Sequence, residues 1–436
     1  MSNKNSPSHS IHAPNRLKPW IVWGLGCVFY FYEFLLQVSP SVMSNELMRD
    51  FGITGHTLGI LTGIYFYSYA AMQLPGGLLM DYFGPRRLLT LATTVCAVST
   101  LAFGITDHLV MACIARLMIG FGSAFAVVGT MKLAANWFKP ERFAFLTGLM
   151  VTIGMLGAMG GEAPLAMLID AAGWRESMLI MGATGLVLAL LIFVIIKDTP
   201  PQEKHHLHHT PAHQEESLIK SLLSLIKNKQ LWLISIYGGL MYMATPVFAG
   251  LWGVPFLMLK MHLTKALAAN YISLIFIGWA IAGPLWGIYS NRIGMRKPPL
   301  YISTVGACLS ACIFIYVPTN NTWLIQLTLL TFGLFSAGFL PAFSVAKELC
   351  SQHYIATGLS FMNMMNMVGV ALAQPVIGYI LDFLWRGEMN GTVRAYSLSS
   401  YTIALSSLPV GMVISLLLLP FVRETYCTSV ADKTDN

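Results

Sequence analysis

The chain has 436 residues, of which 56% are hydrophobic and only 10% charged, and its formal net charge is +7. Water-soluble chains carry roughly a quarter of their residues as Asp, Glu, Lys and Arg, so lipid is the expected solvent and a soluble globular domain is excluded. The positive excess is scattered singly through short loops rather than gathered into a patch, which argues against a nucleic-acid partner and for membrane orientation.

Residues 1–18 form a polar, basic stretch with Lys4, Arg16 and Lys18. It resembles the start of a secretory signal, but no small-residue cleavage site follows, so the next apolar run is expected to be a retained helix. Apolar runs long enough to span lie at about 20–42, 57–80, 88–105, 109–135, 143–168 and 177–197 (helices 1 to 6). A polar stretch over 198–230 holds His205, His206, His208, His209 and His213. Without Cys or carboxylate spacing to define a closed site it is expected to be a cytoplasmic connector, with metal binding by these histidines as the alternative; no other metal site and no cofactor are expected. Six more runs follow at about 231–257, 266–288, 299–317, 323–346, 357–381 and 401–421 (helices 7 to 12). Each far exceeds the ~10 residues of a barrel strand and lacks apolar–polar alternation, so the fold class is an all-α membrane protein of twelve transmembrane helices.

The expected organisation is a tail over 1–18, a six-helix half over 19–197, the linker over 198–230, a second six-helix half over 231–421 and a tail over 422–436. Basic residues mark the orientation. One set of loops and tails carries eighteen of the 26 Lys and Arg residues, and the other carries six, namely Arg49, Arg175, Lys260, Lys265, Arg386 and Arg394. Arg116 and Lys132 lie inside helix 4. Both termini are therefore expected in the cytoplasm. Five of the seven cysteines fall in apolar runs and the other two, Cys350 and Cys427, near the cytoplasmic side, a distribution unlike a disulfide framework.

An internal repeat recurs at a spacing of 210 residues. One loop reads Gly77-Leu-Leu-Met-Asp81-Tyr82-Phe-Gly84-Pro-Arg86-Arg87, and its counterpart reads Gly287-Ile-Tyr-Ser-Asn291-Arg292-Ile-Gly294-Met-Arg296-Lys297. Thr147-Gly148 and Thr357-Gly358 repeat at the same offset. Two parallel halves follow. The first loop resembles the signature between helices 2 and 3 of the major facilitator superfamily, with Tyr82 in place of the usual Arg. Arg116-x-x-x-Gly120-x-Gly122-x-Ala124 in helix 4 resembles a second signature, and Trp137-Phe138-x-Pro140-Glu141-Arg142 and Gly173-Trp174-Arg175 also match. The resemblance covers nearly the whole chain and implies a secondary transporter working by alternating access. It is nearest to the bacterial nutrient-uptake branches, with a fainter likeness of helices 4 and 5 to lysosomal dipeptide carriers.

In the repeated loops Asp81 is placed to face the positive N-terminus of helix 11, a contact worth ~0.3 to 1 kcal/mol that each cycle can break. The glycines permit tight turns, while Arg86 and Arg87 either gate or simply hold the loop inside. Within the bilayer an ionisable side chain costs at least ~2.5 kcal/mol and needs a reason. Glu33 lies near the middle of helix 1 on a stripe with Tyr30 and Gln37, where a carboxylate can carry a proton from one side to the other, bind a substrate amine, or make a structural hydrogen bond. Arg116 is suited to a substrate carboxylate, and the resemblance associates this arginine with proton transfer; an ion pair with Glu162 of helix 5 is the structural competitor. Lys132 either snorkels or touches substrate. Further lining candidates are Tyr65, Tyr69 and Gln73 on helix 2, Tyr237 and Tyr242 on helix 7, and Asn363, Asn366 and Gln374 on helix 11, any of which can instead bond between helices. The Met-rich run Phe361–Met367 fits adaptable packing better than a soft-metal path.

The expected function is proton-coupled uptake of a small polar organic solute, such as an amino acid, short peptide or carboxylate, by a monomer in the bacterial inner membrane. Its partners would be that solute, protons and the lipid bilayer. A drug or metabolite exporter is the alternative, weakened because Gly154-x-x-Gly157-x-x-Gly160-Gly161-Glu162-Ala-Pro164 lacks the Gly-Pro pair of antiporters. Organic-phosphate exchange normally asks for two cavity cations. A non-transporting sensor and an enzyme are more remote, because neither a signalling appendage nor a nucleophile and base cluster is evident.

Overall fold

The computed structural model describes residues 17–139, 142–198, 228–350 and 355–428. Twelve long helical spans are found among them. In chain order they are Lys18–Val42, Gly55–Phe83, Pro85–Ile105, Leu109–Trp137, Phe145–Ala172, Trp174–Ile195, Lys229–Met261, Lys265–Ile293, Lys297–Tyr316, Thr322–Glu348, Ile355–Phe383 and Leu398–Phe421. Eleven are long and apolar enough to cross a membrane by themselves. The exception is helix 2, Gly55–Phe83, whose 29 residues are diluted by His56, Ser68, Gln73 and four tyrosines. The histidine-rich stretch lies outside the described residues apart from its first residue and its end, where helix 7 begins at Lys229.

The start of helix 1 meets the end of helix 4, with Trp20 against Phe138, and the start of helix 7 meets the end of helix 12, with Gln230 donating to Phe421 O. Both ends of the described chain therefore lie on one face, the basic one, called inner below; the opposite face is called outer. Helices 3, 6, 9 and 12 expose Leu91 and Val98, Val187 and Leu190, Ile302 and Leu309, and Val410 and Leu417, an apolar surface suited to lipid. The halves meet where helix 2 lies along helix 11 and helix 8 crosses helix 5. The seven cysteines are all unpaired.

Several spans change pitch along their length. Helix 1 tightens into a 3-10 turn at Ser39–Val42, helix 5 breaks at Gly161 and Glu162, helix 7 widens into a π segment at Phe248–Trp252, and helix 10 carries a 3-10 turn at Ala337–Phe339. Irregular backbone is tolerated at membrane depth only where protein or a cavity satisfies it, and the residues at all four breaks are buried in the protein.

Glycine sets how near the helices come. A Cβ on Gly59 would stand 2.5 Å from Gln374 O, and one on Gly120 would overlap Tyr65 O and Ser68 Oγ. Close approach at Gly120 is what brings helix 4 against helix 2. We expect Gly120→Ala to cost about 1 to 3 kcal/mol through overpacking against backbone, measurable as a lower melting midpoint and less monodisperse protein.

Candidate functional site

Glu33 is 1% exposed, and its Oε1 accepts a 2.7 Å hydrogen bond from the Tyr65 hydroxyl, while Oε2 is buried without a partner. Tyr65 is shared. Its ring face lies 5.0 Å from the Arg116 guanidinium, so one side chain touches both the buried acid and the buried base. Arg116, 2% exposed, donates from Nη1 to Leu36 O at 3.0 Å, while Nε and Nη2 have no partner. A cation over an aromatic face gains about 2 kcal/mol when desolvated, which offsets only part of the cost of burying it. Both charged groups thus keep unused hydrogen-bonding capacity in a nearly water-free place.

Around them the structure gathers much of the expected set. Tyr69 lies beside Tyr65 with ring centroids 6.0 Å apart, and Tyr30, Tyr69 and Tyr242 all lie within electrostatic reach of Glu33. Gln37 sits beside Tyr242, which brings helix 1 of one half to helix 7 of the other. Asn363 donates to Gln73 Oε1 at 2.7 Å, joining helix 11 to helix 2 across the halves. Asn366 is buried with both amide atoms unpartnered, as is Oε1 of Gln374. Sequence reasoning missed the wall opposite Tyr242: Trp279 and Phe339, with Trp279 Nε1 donating to Ser336 and Thr245 at 2.8 and 3.2 Å.

Two of the candidate residues take partners outside this cluster. Tyr237 does not line this cluster; fully buried, its hydroxyl bonds Thr304 and Leu300 O of helix 9. Tyr237 and Tyr242 are five residues apart, about 140° around a helix, so they cannot share a face. Glu162 does not pair with Arg116. Its Oε1 accepts from Ser41 at 3.0 Å, in the 3-10 turn that ends helix 1, and its Oε2 has no partner. The break in helix 5 at Gly161 and Glu162 turns the carboxylate toward helix 1.

At the inner face the repeated loops are pinned within each half. Asp198, just after helix 6, accepts from the backbone N of Arg86, while Gly84 in a left-handed conformation leaves room for it; Arg86 Nε reaches Phe193 O. The second half does the same with Glu424, which accepts from the backbone N of Arg296 and of Lys297, each at 2.8 Å. Arg296 also pairs with Glu348 at 2.6 Å and donates to Ser290 and Asn291. Burial works against its charge, but Glu348 outweighs that and holds the guanidinium above its ordinary pKa. Neither Asp198 nor Glu424 carries a signal in sequence beyond following a span. Gly77, Gly287 and the left-handed Gly294 face open space.

Asp81 makes its ion pair with Lys132 of its own half at 2.7 Å, not with helix 11 as the sequence suggests, and Lys132 is thereby drawn to the loop rather than to the centre. Both side chains are about half exposed, so the pair contributes at most ~1 kcal/mol. Asp81→Asn should accordingly leave the melting midpoint within ~2 °C while changing thiol-labelling rates on the two faces in opposite directions, if the acid latches helix 11 in the opposite conformation. Equal labelling in both proteins would reject the latch.

The family model of the Major Facilitator Superfamily matches residues 22–374. The chain belongs to this superfamily. Its relatives are facilitators named as transporters, not enzymes. A probable hexose phosphate transport protein of Chlamydia pneumoniae is 23% identical over 83% of this chain and 85% of its own, and a putative tartrate transporter of Agrobacterium vitis is 23% identical over 84% of both. A probable sulfoacetate transporter of Cupriavidus necator is 28% identical, over 42% of this chain and 43% of that one. Among solved facilitators, a bacterial homologue of the human lysosomal transporter Spinster superposes with a TM-score of 0.75 at 16% identity, covering 97% of this chain and 99% of the other.

Proposed function

We propose that this facilitator is a secondary active carrier that brings a small organic anion into the cell together with a proton, working by alternating access in a bacterial inner membrane. The observation that carries the reading is the Glu33, Tyr65 and Arg116 group, in which a buried guanidinium and a buried carboxylate each retain unpartnered atoms. Arg116 Nε and Nη2 are the paired donors that fit a carboxylate, sulfonate or phosphate edge. The names of the relatives, hexose phosphate, tartrate and sulfoacetate transporters, share that one chemistry and favour an anion over the amino acid or peptide.

Charge explains the coupling. While Glu33 is ionised it neutralises Arg116 and repels an incoming anion; once protonated it leaves the guanidinium to the substrate. Binding of anion and binding of proton therefore strengthen each other, and reciprocally so. The excess of basic residues on the inner face supports both termini lying in the cytoplasm.

The test is uptake into proteoliposomes with an inward proton gradient, offering labelled tartrate, glucarate, sulfoacetate, a hexose phosphate, amino acids and a dipeptide. Accumulation of an organic anion that a protonophore collapses is the expected result. Accumulation of zwitterions alone would overturn the anion reading, and efflux of lipophilic cations would favour an exporter.

A further inference from the structure

Far from Glu33 and Arg116, two polar clusters tie the halves together at the outer face. In the first, Asp382 at the outer end of helix 11 accepts from the backbone N–H groups of Gly55 and His56, at 3.3 and 2.9 Å, where helix 2 begins. Tyr396 donates its hydroxyl to the same carboxylate and accepts from Gly55 N at 2.8 Å, and Arg394 Nη1 lies 3.2 Å from Asp382. The first N–H groups of a helix have no partner within it and carry its positive end, so helix 2 is capped here by an acid of the opposite half. Burial, and then the bond to Asp382, push the Tyr396 phenol above its ordinary pKa, so the hydroxyl stays a donor.

In the second cluster Lys265, the first residue of helix 8, lies 2.5 Å from Glu46 and 2.9 Å from Asp170, at the outer end of helix 5. The internal repeat relates the two. At the 210-residue offset Thr54-Gly55 falls on Thr264-Lys265, each threonine immediately preceding its helix, and the outer end of helix 11 falls on that of helix 5. In both places an acid closing helix 5 or 11 of one half holds the first residue of helix 8 or 2 of the other.

We propose that these two clusters are a paired outer gate: Asp382 on the start of helix 2, and Lys265 between Glu46 and Asp170, must both release for the outer face to open. The materials suit a latch. Asp382, Lys265 and Glu46 are 14%, 17% and 20% exposed, close enough to water to be rehydrated when the halves part. Beneath the first cluster much of the contact is backbone on backbone, with Gly378 set against Gly55 O and Gly59 against Gln374 O, and the side chain that crosses there is His56, whose Nδ1 lies 3.1 Å from Pro375 O and whose ring packs on Tyr379. The proposal holds whatever the substrate.

Hydrogen–deuterium exchange on the full-length protein tests it. In Asp382→Asn, peptides at the outer ends of helices 2 and 11 and at the distant start of helix 8 should take up deuterium at least threefold faster, while the inner ends of helices 4 and 10 become slower. Lys265→Gln should give the same pattern, and the double variant a larger one. Faster exchange confined to the first turn of helix 2, with the start of helix 8 and the inner face unchanged, would make Asp382 a structural cap and overturn the gate. Should Asp382→Asn fail to fold, Tyr396→Phe, which removes the hydroxyl's two hydrogen bonds, to Asp382 and from Gly55 N, and no charge, is expected to show the same opposite-sign pattern at smaller amplitude, and its absence there overturns the proposal equally.

Discussion

Arg116→Ala should lower uptake of the organic anion by more than about a hundredfold, because losing charge-assisted hydrogen bonds worth about 3 kcal/mol corresponds to that factor. The guanidinium lies over the ring of Tyr65, whose hydroxyl bonds Glu33, and among the described residues it is the one cation on that ring. The substitution also removes the bond to Leu36 O and the cation over the Tyr65 ring, so a lower melting midpoint is expected as well. Arg116→Lys separates the two effects. It keeps the charge but loses the planar fork, and should recover stability more than transport. Uptake by Arg116→Ala at the parent rate would exclude this arginine from the substrate path.

Glu33→Gln has an effect of a different kind. A neutral amide imitates the protonated acid, so the variant should bind the anion at every pH and still exchange labelled for unlabelled substrate across the membrane. What it should lose is accumulation: uptake driven by a proton gradient falls to simple equilibration. In the parent protein anion affinity is expected to rise as pH falls, since the protonated carboxyl no longer repels the ligand; in Glu33→Gln that dependence disappears. Counterflow assays in loaded proteoliposomes, run at two pH values, separate these outcomes. Retained uphill transport would remove Glu33 from the coupling step.

Most of the architecture was legible in the sequence. Helix 2 was expected over 57–80 and runs Gly55–Phe83; helix 7 was expected over 231–257 and runs Lys229–Met261. Such agreement follows from lipid, which demands about 20 apolar residues per span whatever the partners. Glu33 and Arg116 were also visible, because a charge at that depth is too costly to be incidental. The rotation of a helix was less legible. Tyr237 and Tyr242 share helix 7, but their spacing places them on different sides, and the structure turns Tyr237 to helix 9.

Sequence by itself determined the solvent, the helical spans, the repeat at 210 residues and the four intramembrane charges that need a role, Glu33, Arg116, Lys132 and Glu162. Tertiary structure alone decided who partners whom: Tyr65 with both Glu33 and Arg116, Ser41 with Glu162, Lys132 with Asp81, and Asp382 with the start of helix 2. The last of these joins residues 326 positions apart. Apolar spacing records where a chain enters and leaves lipid, a property of each segment alone. A buried polar contact depends instead on the rotation, depth and closeness of two helices, which are settled only when the halves pack.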